Sequence, residues 1–327
     1  MSSLKVLVSA PYMLRELDRF RIQFDEAGIE VVVGDVEERL SEDELIPFAG
    51  QIDGALCGDD AFTARFLEKA TPRLKIIAKW GTGIDTIDME AAKRFGVKVT
   101  NTPDAFTEAV ADSVLGYILT FARELPWMDR DVKAGIWKKR RARSLHETTL
   151  GVVGVGRIGK AVLTRAHGFG MRLLGNDIVE TEPDFLSTYG VSMLELDKLL
   201  RESDFVSLNC DLNPSSEHLI DEKALSIMKS EAVLINTSRG GVVDQVELVA
   251  ALEQNRIGGA ALDVFEDEPI PLDSRLLAMD NVMLAPHNAN SSPMAWERVH
   301  WNSLNNLFEG LGLGSVSAFP TPQVSSE

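Results

Sequence analysis

Cysteine is nearly absent from this chain: Cys57 and Cys210 are the two in 327 residues, far apart and without metal-like spacing. That scarcity argues against a disulfide framework or a zinc site and fits a reducing cytoplasm. Histidine is sparse too, with five residues standing singly at 146, 167, 218, 287 and 300, so no metal site is expected. Long apolar runs are missing. Those present, such as Val31–Val33 and Ala55–Cys57, are short, far below the roughly 20 residues that span a bilayer. The opening MSSLKVLVSAPY enters a strand without a basic stretch followed by an apolar one, so no signal peptide is read there and no membrane partner is expected. Positive charge is in deficit: 33 Lys and Arg face 50 Asp and Glu, a net −17. Nucleic acid needs a basic face and is therefore an improbable partner. An acidic protein that handles an anion must concentrate its cations locally, so individual arginines become informative.

What the chain does have is alternation. In the first hundred residues KVLVSA (5–10), EVVVGD (30–35), GALCG (54–58), KIIAKW (75–80) and VKVTN (97–101) read as short buried strands. Arg15–Ala27, Ala61–Ala70 and Asp88–Phe95 carry apolar residues at helical spacing between them. A long helical stretch, Thr107–Arg123, is taken to end at Pro126. A second alternation follows in LGVVGVG (150–156), MRLLGND (171–177), DFVSLNC (204–210), AVLINTS (232–238), GAALDVF (259–265) and VMLAPH (282–287). Strands separated by helices imply parallel sheets with right-handed crossovers. The expected fold is α/β: two doubly wound parallel-sheet domains, one flavodoxin-like and one Rossmann-like, with a cleft between them. The final helix, Pro293–Leu311, is expected to return to the first domain. The boundaries read as 1–101 plus 292–327 for one domain and 102–291 for the other, with a Ser/Pro-rich tail, SVSAFPTPQVSSE, read as loose.

Three late strands end in polar tips: VLINTSRGG (233–241), AALDVFEDEP (260–269) and VMLAPHNAN (282–290). The tips offer Arg239, Glu268 and His287. Open α/β sheets keep their chemistry at the carboxyl ends of strands. Arginine grips a carboxylate with two prongs, histidine moves a proton near neutral pH, and glutamate orients the histidine. That set points to an enzyme acting on a small carboxylic acid. Singly, each residue has a blander reading: a solvated loop arginine, a turn acid before Pro269, and a capping histidine after Pro286.

A dinucleotide site is expected earlier, at the first strand of the second alternation. Gly154-Val155-Gly156-Arg157-Ile158-Gly159 follows an apolar strand and opens a helix, the context that gives a G-x-G-x-x-G motif its meaning. The glycines allow a tight turn and close approach of a pyrophosphate to the helix N-terminus. Asp177 ends the next strand at the spacing of an acid that grips the ribose hydroxyls. Ile178, Val179 and Glu180 offer no cation for a 2′-phosphate, so NAD is expected rather than NADP.

With KWGTGIDTID (79–88), GVGRIG (154–159), NTSRGG, DVFEDEP and the APH segment falling in that order, the chain resembles the D-isomer-specific 2-hydroxyacid dehydrogenases, particularly their phosphoglycerate-dehydrogenase-like branch, from about residue 50 to 300. The resemblance implies hydride transfer between NAD and C2 of a D-2-hydroxy acid or 2-oxo acid. It implies that Arg239 holds the substrate carboxylate and polarises the carbonyl. His287 would exchange the proton, and Glu268 would bond the other ring nitrogen, raising the histidine pKa. It places Gly81, Thr82 and Gly83 on the substrate, and Arg157, Ile158, Asp177, Cys210, Thr237 and Asp263 along the dinucleotide. It also implies a homodimer, with the basic run Lys138-Lys139-Arg140-Arg141-Ala142-Arg143 in the dimerisation arm. That run is either a solvated face or a group of cations reaching the neighbouring subunit.

The chain departs from the branch at Gly58, where phosphoglycerate-type members carry arginine. Asp59 and Asp60 follow it, and an acidic pair there would repel a phosphate, although Asp59 is also a candidate cap for a helix starting near Phe62. Asn288, Ala289 and Asn290 stand where small residues are usual, as polar contacts or as loop backbone support. Two alternatives remain on the same fold: an NAD(H)-sensing partner protein without catalysis, and formate or phosphite oxidation. Formate enzymes have glutamine at the Glu268 position, which counts against the latter.

Overall fold

A computed structural model of the chain describes residues 3–316. Most of the serine- and proline-rich tail lies outside the described residues. The chain divides into two compact units, one running to Phe106 and resuming at Ser292, the other spanning Thr107–Ser291.

Unit 1 holds a parallel five-stranded sheet: β1 (Leu4–Val8), β2 (Ile29–Val33), β3 (Gly54–Cys57), β4 (Ile76–Lys79) and β5 (Lys98–Thr100). Their spatial order is β2-β1-β3-β4-β5. β3 and β4 are buried along their whole lengths, as strands covered on both faces must be, which is why they read as unbroken apolar runs. The helix Pro293–Gly310 covers this sheet. A Cβ on Gly310 would lie 2.5 Å from Ile76, so glycine lets that helix end settle against β4. The span expected as one helix over 15–27 is two, Pro11–Arg15 and Leu17–Glu26.

Asp59 is not a helix cap. The helix Ala64–Ala70 starts after Thr63, whose hydroxyl accepts from the Phe66 amide. Asp60 is fully buried and ties Ser9 and the Leu40 amide to the end of β3. Burial pushes its carboxyl up despite those bonds.

Unit 2 holds a parallel seven-stranded sheet: β6 (Thr149–Val153), β7 (Arg172–Asn176), β8 (Val191–Met193), β9 (Phe205–Leu208), β10 (Val233–Asn236), β11 (Gly259–Leu262) and β12 (Val282–Leu284). The order β12-β11-β10-β9-β6-β7-β8 reverses direction between β6 and β9. The short edge strand β8 has no counterpart in the sequence reading, because three residues beside a turn leave no period to detect. The helix Thr107–Arg123 forms as expected, but Pro126 does not end it. Glu124, at φ +51, turns the chain, and Pro126 sits in the first turn of a further helix, Leu125–Lys133, where its missing N–H costs nothing.

At the amino ends of this sheet, buried Asp204 accepts from the Thr149 amide at 2.7 Å and pairs with Lys229 at 3.0 Å and Arg143 at 3.1 Å. Burial pushes its carboxyl up, but the amide and the two cations outweigh that and hold it below the usual range. This ionic contribution is therefore full above the ordinary carboxylate range, near pH 4, and fades as pH falls through it. Asp204→Asn should reduce unfolding free energy by about 1–3 kcal/mol at neutral pH. In denaturant titrations the difference should shrink towards about pH 3; a difference independent of pH would contradict the ionic origin.

Candidate active site

The reversal of strand direction between β6 and β9 opens a crevice at the carboxyl ends of those strands, the place where open α/β sheets bind ligands. The glycine loop stands there for steric reasons that can be read atom by atom. Gly154 has φ +89, and a Cβ on it would meet the Cys210 amide nitrogen at 2.6 Å. A Cβ on Gly159 would lie 2.0 Å from the Gly154 carbonyl oxygen, so only glycine lets the helix Arg157–Gly168 start so close to the strand. Gly156 faces open space, with no side chain capping the helix. The first-turn N–H groups of a helix are intrinsically without internal partners and favour an anion.

Asp177 accepts from the Val155 amide at 2.6 Å and from the Val179 amide at 2.8 Å, so its carboxylate is fixed beside the loop. In the neighbouring row, the Thr237 hydroxyl and the Asn209 side-chain oxygen are buried without a hydrogen-bond partner. Both follow the paired strand ends Asn236 and Leu208. Buried polar atoms are rarely left unmatched; a glycine cradle, an amide-rich helix end, a fixed acid and two orphaned oxygens form a surface that a dinucleotide would complete. These residues fit NAD.

Arg239, Glu268 and His287 come together in unit 2. Asn236 organises the first tip: its side chain donates to the Arg239 carbonyl at 2.9 Å and accepts from the Ser238 amide and hydroxyl. At Gly240 a Cβ would lie 1.9 Å from the Phe265 carbonyl carbon, so glycine alone lets the arginine turn lie against the segment that leads to Glu268. Glu268 accepts from the Phe265 amide through Oε1 and meets His287 Nδ1 through Oε2, both at 2.9 Å. Burial pushes the Glu268 carboxyl up, but the hydrogen bond and charge of His287, the Phe265 amide and the charge of Arg239 together hold it below its usual value. The bond is made at Nδ1, so a proton passed at the other ring nitrogen would be passed at Nε2.

Asp263, expected along the dinucleotide, also braces the histidine loop. It is 1 % exposed, and its two oxygens accept from the Asn288 and Ala289 amides at 2.9 and 2.8 Å. Its own carbonyl accepts from the His287 amide. His287 is thereby held at φ +49, a left-handed conformation that needs such external support. The role of Asn236, Gly240 and Asp263 as scaffold was not legible beforehand, although the strand-end positions of Asn236 and Asp263 were the available signal.

In unit 1, Gly81 turns at φ +121 after β4. Its carbonyl is held by the Thr102 amide and hydroxyl, and the Thr82 carbonyl by Asn101. Among the described residues of this unit, the N–H groups of Gly81, Thr82 and Gly83 meet no acceptor. The basic run is partly consumed locally: Arg140 pairs with Glu124 and Asp131, and Arg143 with Asp204. Together with Arg130 and Asp280 they border a groove of about 890 Å³ at the amino ends of the unit 2 strands, the edge opposite the glycine loop. Among the described residues no group of His, Cys, Asp or Glu is arranged to hold a metal, and no helix is long and apolar enough to cross a membrane.

Comparison with known proteins agrees with this geometry. A family model described as D-isomer specific 2-hydroxyacid dehydrogenase, NAD binding domain, matches residues 115–289. A glyoxylate reductase of Korarchaeum cryptofilum is 47 % identical over 230 residues, 68 % of this chain and 69 % of that protein. A D-3-phosphoglycerate dehydrogenase of Methanocaldococcus jannaschii is 35 % identical over 294 residues, 89 % of this chain and 54 % of its own length. The crystal structure of a D-lactate dehydrogenase from Aquifex aeolicus, complexed with NAD and lactic acid, superposes with a TM-score of 0.81 at 29 % identity, covering 96 % of this chain and 99 % of that one.

If Asp177 faces the ribose, with no cation following it in sequence, a 2′-phosphate would meet a carboxylate. NADH should bind at least about tenfold more tightly than NADPH in fluorescence titration. Equal affinity would contradict the role given to Asp177.

Proposed function

The chain belongs to the D-isomer-specific 2-hydroxyacid dehydrogenases, and from that premise we propose that Arg239, Glu268 and His287 carry out NAD-dependent interconversion of a small, non-phosphorylated 2-oxo acid and its D-2-hydroxy acid. The observation that carries the assignment is the Glu268–His287 bond at 2.9 Å with Arg239 close enough to bias the same carboxylate.

Bound NAD supplies the hydride acceptor or donor. The protein's share is binding, orientation and proton movement. Arg239 takes the substrate carboxylate and polarises the C2 carbonyl. In reduction, His287 Nε2 gives its proton to the carbonyl oxygen; in oxidation it takes the proton from the hydroxyl. Nδ1–H points to Glu268, which fixes the tautomer and balances the imidazolium charge. The coupling is reciprocal: the imidazolium that holds the Glu268 carboxyl down is stabilised by that carboxylate to the same extent. The dinucleotide contacts are assigned to Gly154, Gly156, Arg157, Ile158, Gly159, Asp177, Cys210 and Thr237, and Asp263 is assigned the placing of His287. Gly81, Thr82 and Gly83 are given a substrate role on the chemistry of their N–H groups.

The branch specificity is read away from 3-phosphoglycerate. A Cβ on Gly58 would lie 3.1 Å from the Pro11 ring, so the arginine of phosphoglycerate-type members would need the loop to give way. A homodimer is supported by Leu125, Val132, Ile136 and Trp137, which expose apolar surface along one segment, Trp137 at 92 %. Two unpaired cysteines suit a reducing compartment such as the cytoplasm.

His287→Ala should retain NADH binding and lose at least roughly a hundredfold in kcat for 2-oxo acid reduction; near-normal turnover would refute the acid/base role. Glu268→Gln removes the charge that favours the imidazolium, so the alkaline limb of the reductive pH profile should move to lower pH. An unmoved limb would mean that Glu268 does not tune the proton donor.

A further inference from the structure

The turns that carry Arg239 and Glu268 are bridged by a residue with no part in the chemistry above, His218. It lies in the loop that leaves β9, and its backbone is left-handed at φ +46, a conformation that persists only under outside support. The support comes from the arginine turn. The His218 amide donates to the Gly241 carbonyl at 2.8 Å and the Ile220 amide to the Val242 carbonyl at 3.1 Å; the Asp244 amide returns to the Ile220 carbonyl at 3.1 Å. His218–Ile220 is thus laid along the backbone that runs on from Arg239 through Gly240–Val242.

The ring reaches the other turn. Its Nε2 lies 2.9 Å from Glu266 Oε1, and because a carboxylate only accepts, Nε2 is the donor. Nδ1 lies 3.9 Å from Asp244. The same Glu266 oxygen accepts from the Gln245 amide at 3.2 Å, at the start of the helix Gln245–Glu253 that Asp244 caps. Glu266 is held at its backbone too. A Cβ on Gly240 would lie 1.9 Å from the Phe265 carbonyl carbon and 2.3 Å from the Glu266 nitrogen, so the peptide joining those two residues packs directly on the arginine turn. Two residues later, Glu268 closes its turn by accepting from the Phe265 amide. The His218 and Glu266 side chains are 48 % and 30 % exposed, and ion pairs so open to water add little to stability. What this pair does is fix a distance between two turns.

We propose that His218 is a positioning residue for the reaction: through Glu266 it holds the Glu268 turn against the Arg239 turn, where Glu268 meets His287. The inference rests on the dehydrogenase reading above and adds to it a residue outside the reacting trio. His218 is bonded to the arginine turn through its backbone and to the glutamate turn through its ring. Replacing the side chain therefore leaves the first link in place and frees the second alone. The loss falls on proton transfer at His287 rather than on carboxylate binding at Arg239, and a misplacement of about 1 Å costs up to about a hundredfold in rate.

The test follows single-turnover oxidation of NADH by glyoxylate, which reads the chemical step apart from product release. His218→Ala should lower the saturating rate about fivefold or more, while the NADH dissociation constant and the glyoxylate concentration for half-maximal rate stay within about twofold. His218→Gln, whose amide can donate to Glu266 in the same direction, should recover most of the wild-type rate. Glu266→Ala should be slowed like His218→Ala, and the double variant should be no slower than the slower single one, because both remove the same link. If His218→Ala does not fold, Glu266→Ala decides the matter. Wild-type rates in both single variants, or multiplied losses in the double variant, would overturn the proposal while leaving the dehydrogenase intact. Parallel losses in rate, NADH affinity and thermal midpoint, the mark of a general loosening, would overturn it as well. Failure of wild-type protein to oxidise NADH with glyoxylate, pyruvate or hydroxypyruvate would instead overturn the parent reading and this inference with it.

Discussion

A buried carboxylate, Asp263, decides where the His287 imidazole stands. Its oxygens hold the amides of Asn288 and Ala289, and its carbonyl holds the amide of His287. The left-handed backbone at His287 would not persist without those bonds, because a non-glycine residue at φ +49 has few neighbours in conformational space to share its cost. Once the loop is pinned, the ring meets Glu268, and Glu268 in turn is fixed by the Phe265 amide two residues past Asp263. A strand end, a turn and a loop are thus locked by one acid that need not touch a substrate. Tyr117 adds a longer contact at 3.4 Å, and its hydroxyl is pushed to higher pKa chiefly by burial, with Asp263's charge adding to it.

The two sheets use one physical rule for different ends. In unit 2 the reversal between β6 and β9 leaves room for the glycine loop, where absence of side chains matters more than their presence. In unit 1 the reversal between β1 and β3 brings together Tyr12 and Asp59, with Lys79 on the adjacent strand. One point favours a helix end and an extended anion; at the other a buried lysine, Lys79, pairs with Asp59. The acidic balance of the chain fits this economy. Arg239 meets the Glu268 turn, Lys79 is matched by Asp59, and much of the basic run is committed to Glu124, Asp131 and Asp204.

Much of this was legible in the residues, and what was not has a physical reason. Parallel strands buried on both faces announce themselves as apolar runs, so eleven of the twelve strands stand where the alternation puts them, and only the three-residue edge strand β8 escapes. Arg239, Glu268 and His287 were visible because strand tips are where polar residues interrupt such runs. Their supports were not. Gly240 matters through a clash with Phe265 that no local pattern encodes, and Asp263 acts through amides 25 and 26 residues away. Pro126 was taken to stop a helix because proline does so in an interior; here a left-handed Glu124 had already ended it. Asp59 was weighed as a cap, but its partner lies on another strand, at Lys79.

The central claim is that hydride passes directly to C2 while His287 supplies only the proton. Reduction of glyoxylate or hydroxypyruvate with NADH deuterated at the transferable position measures this most directly, with the product examined by NMR and its configuration determined for the chiral case. The account predicts deuterium bound to C2, the D configuration in the hydroxypyruvate product, and an exchangeable hydrogen from solvent on the oxygen alone. Solvent hydrogen at C2, or an L product, would contradict it.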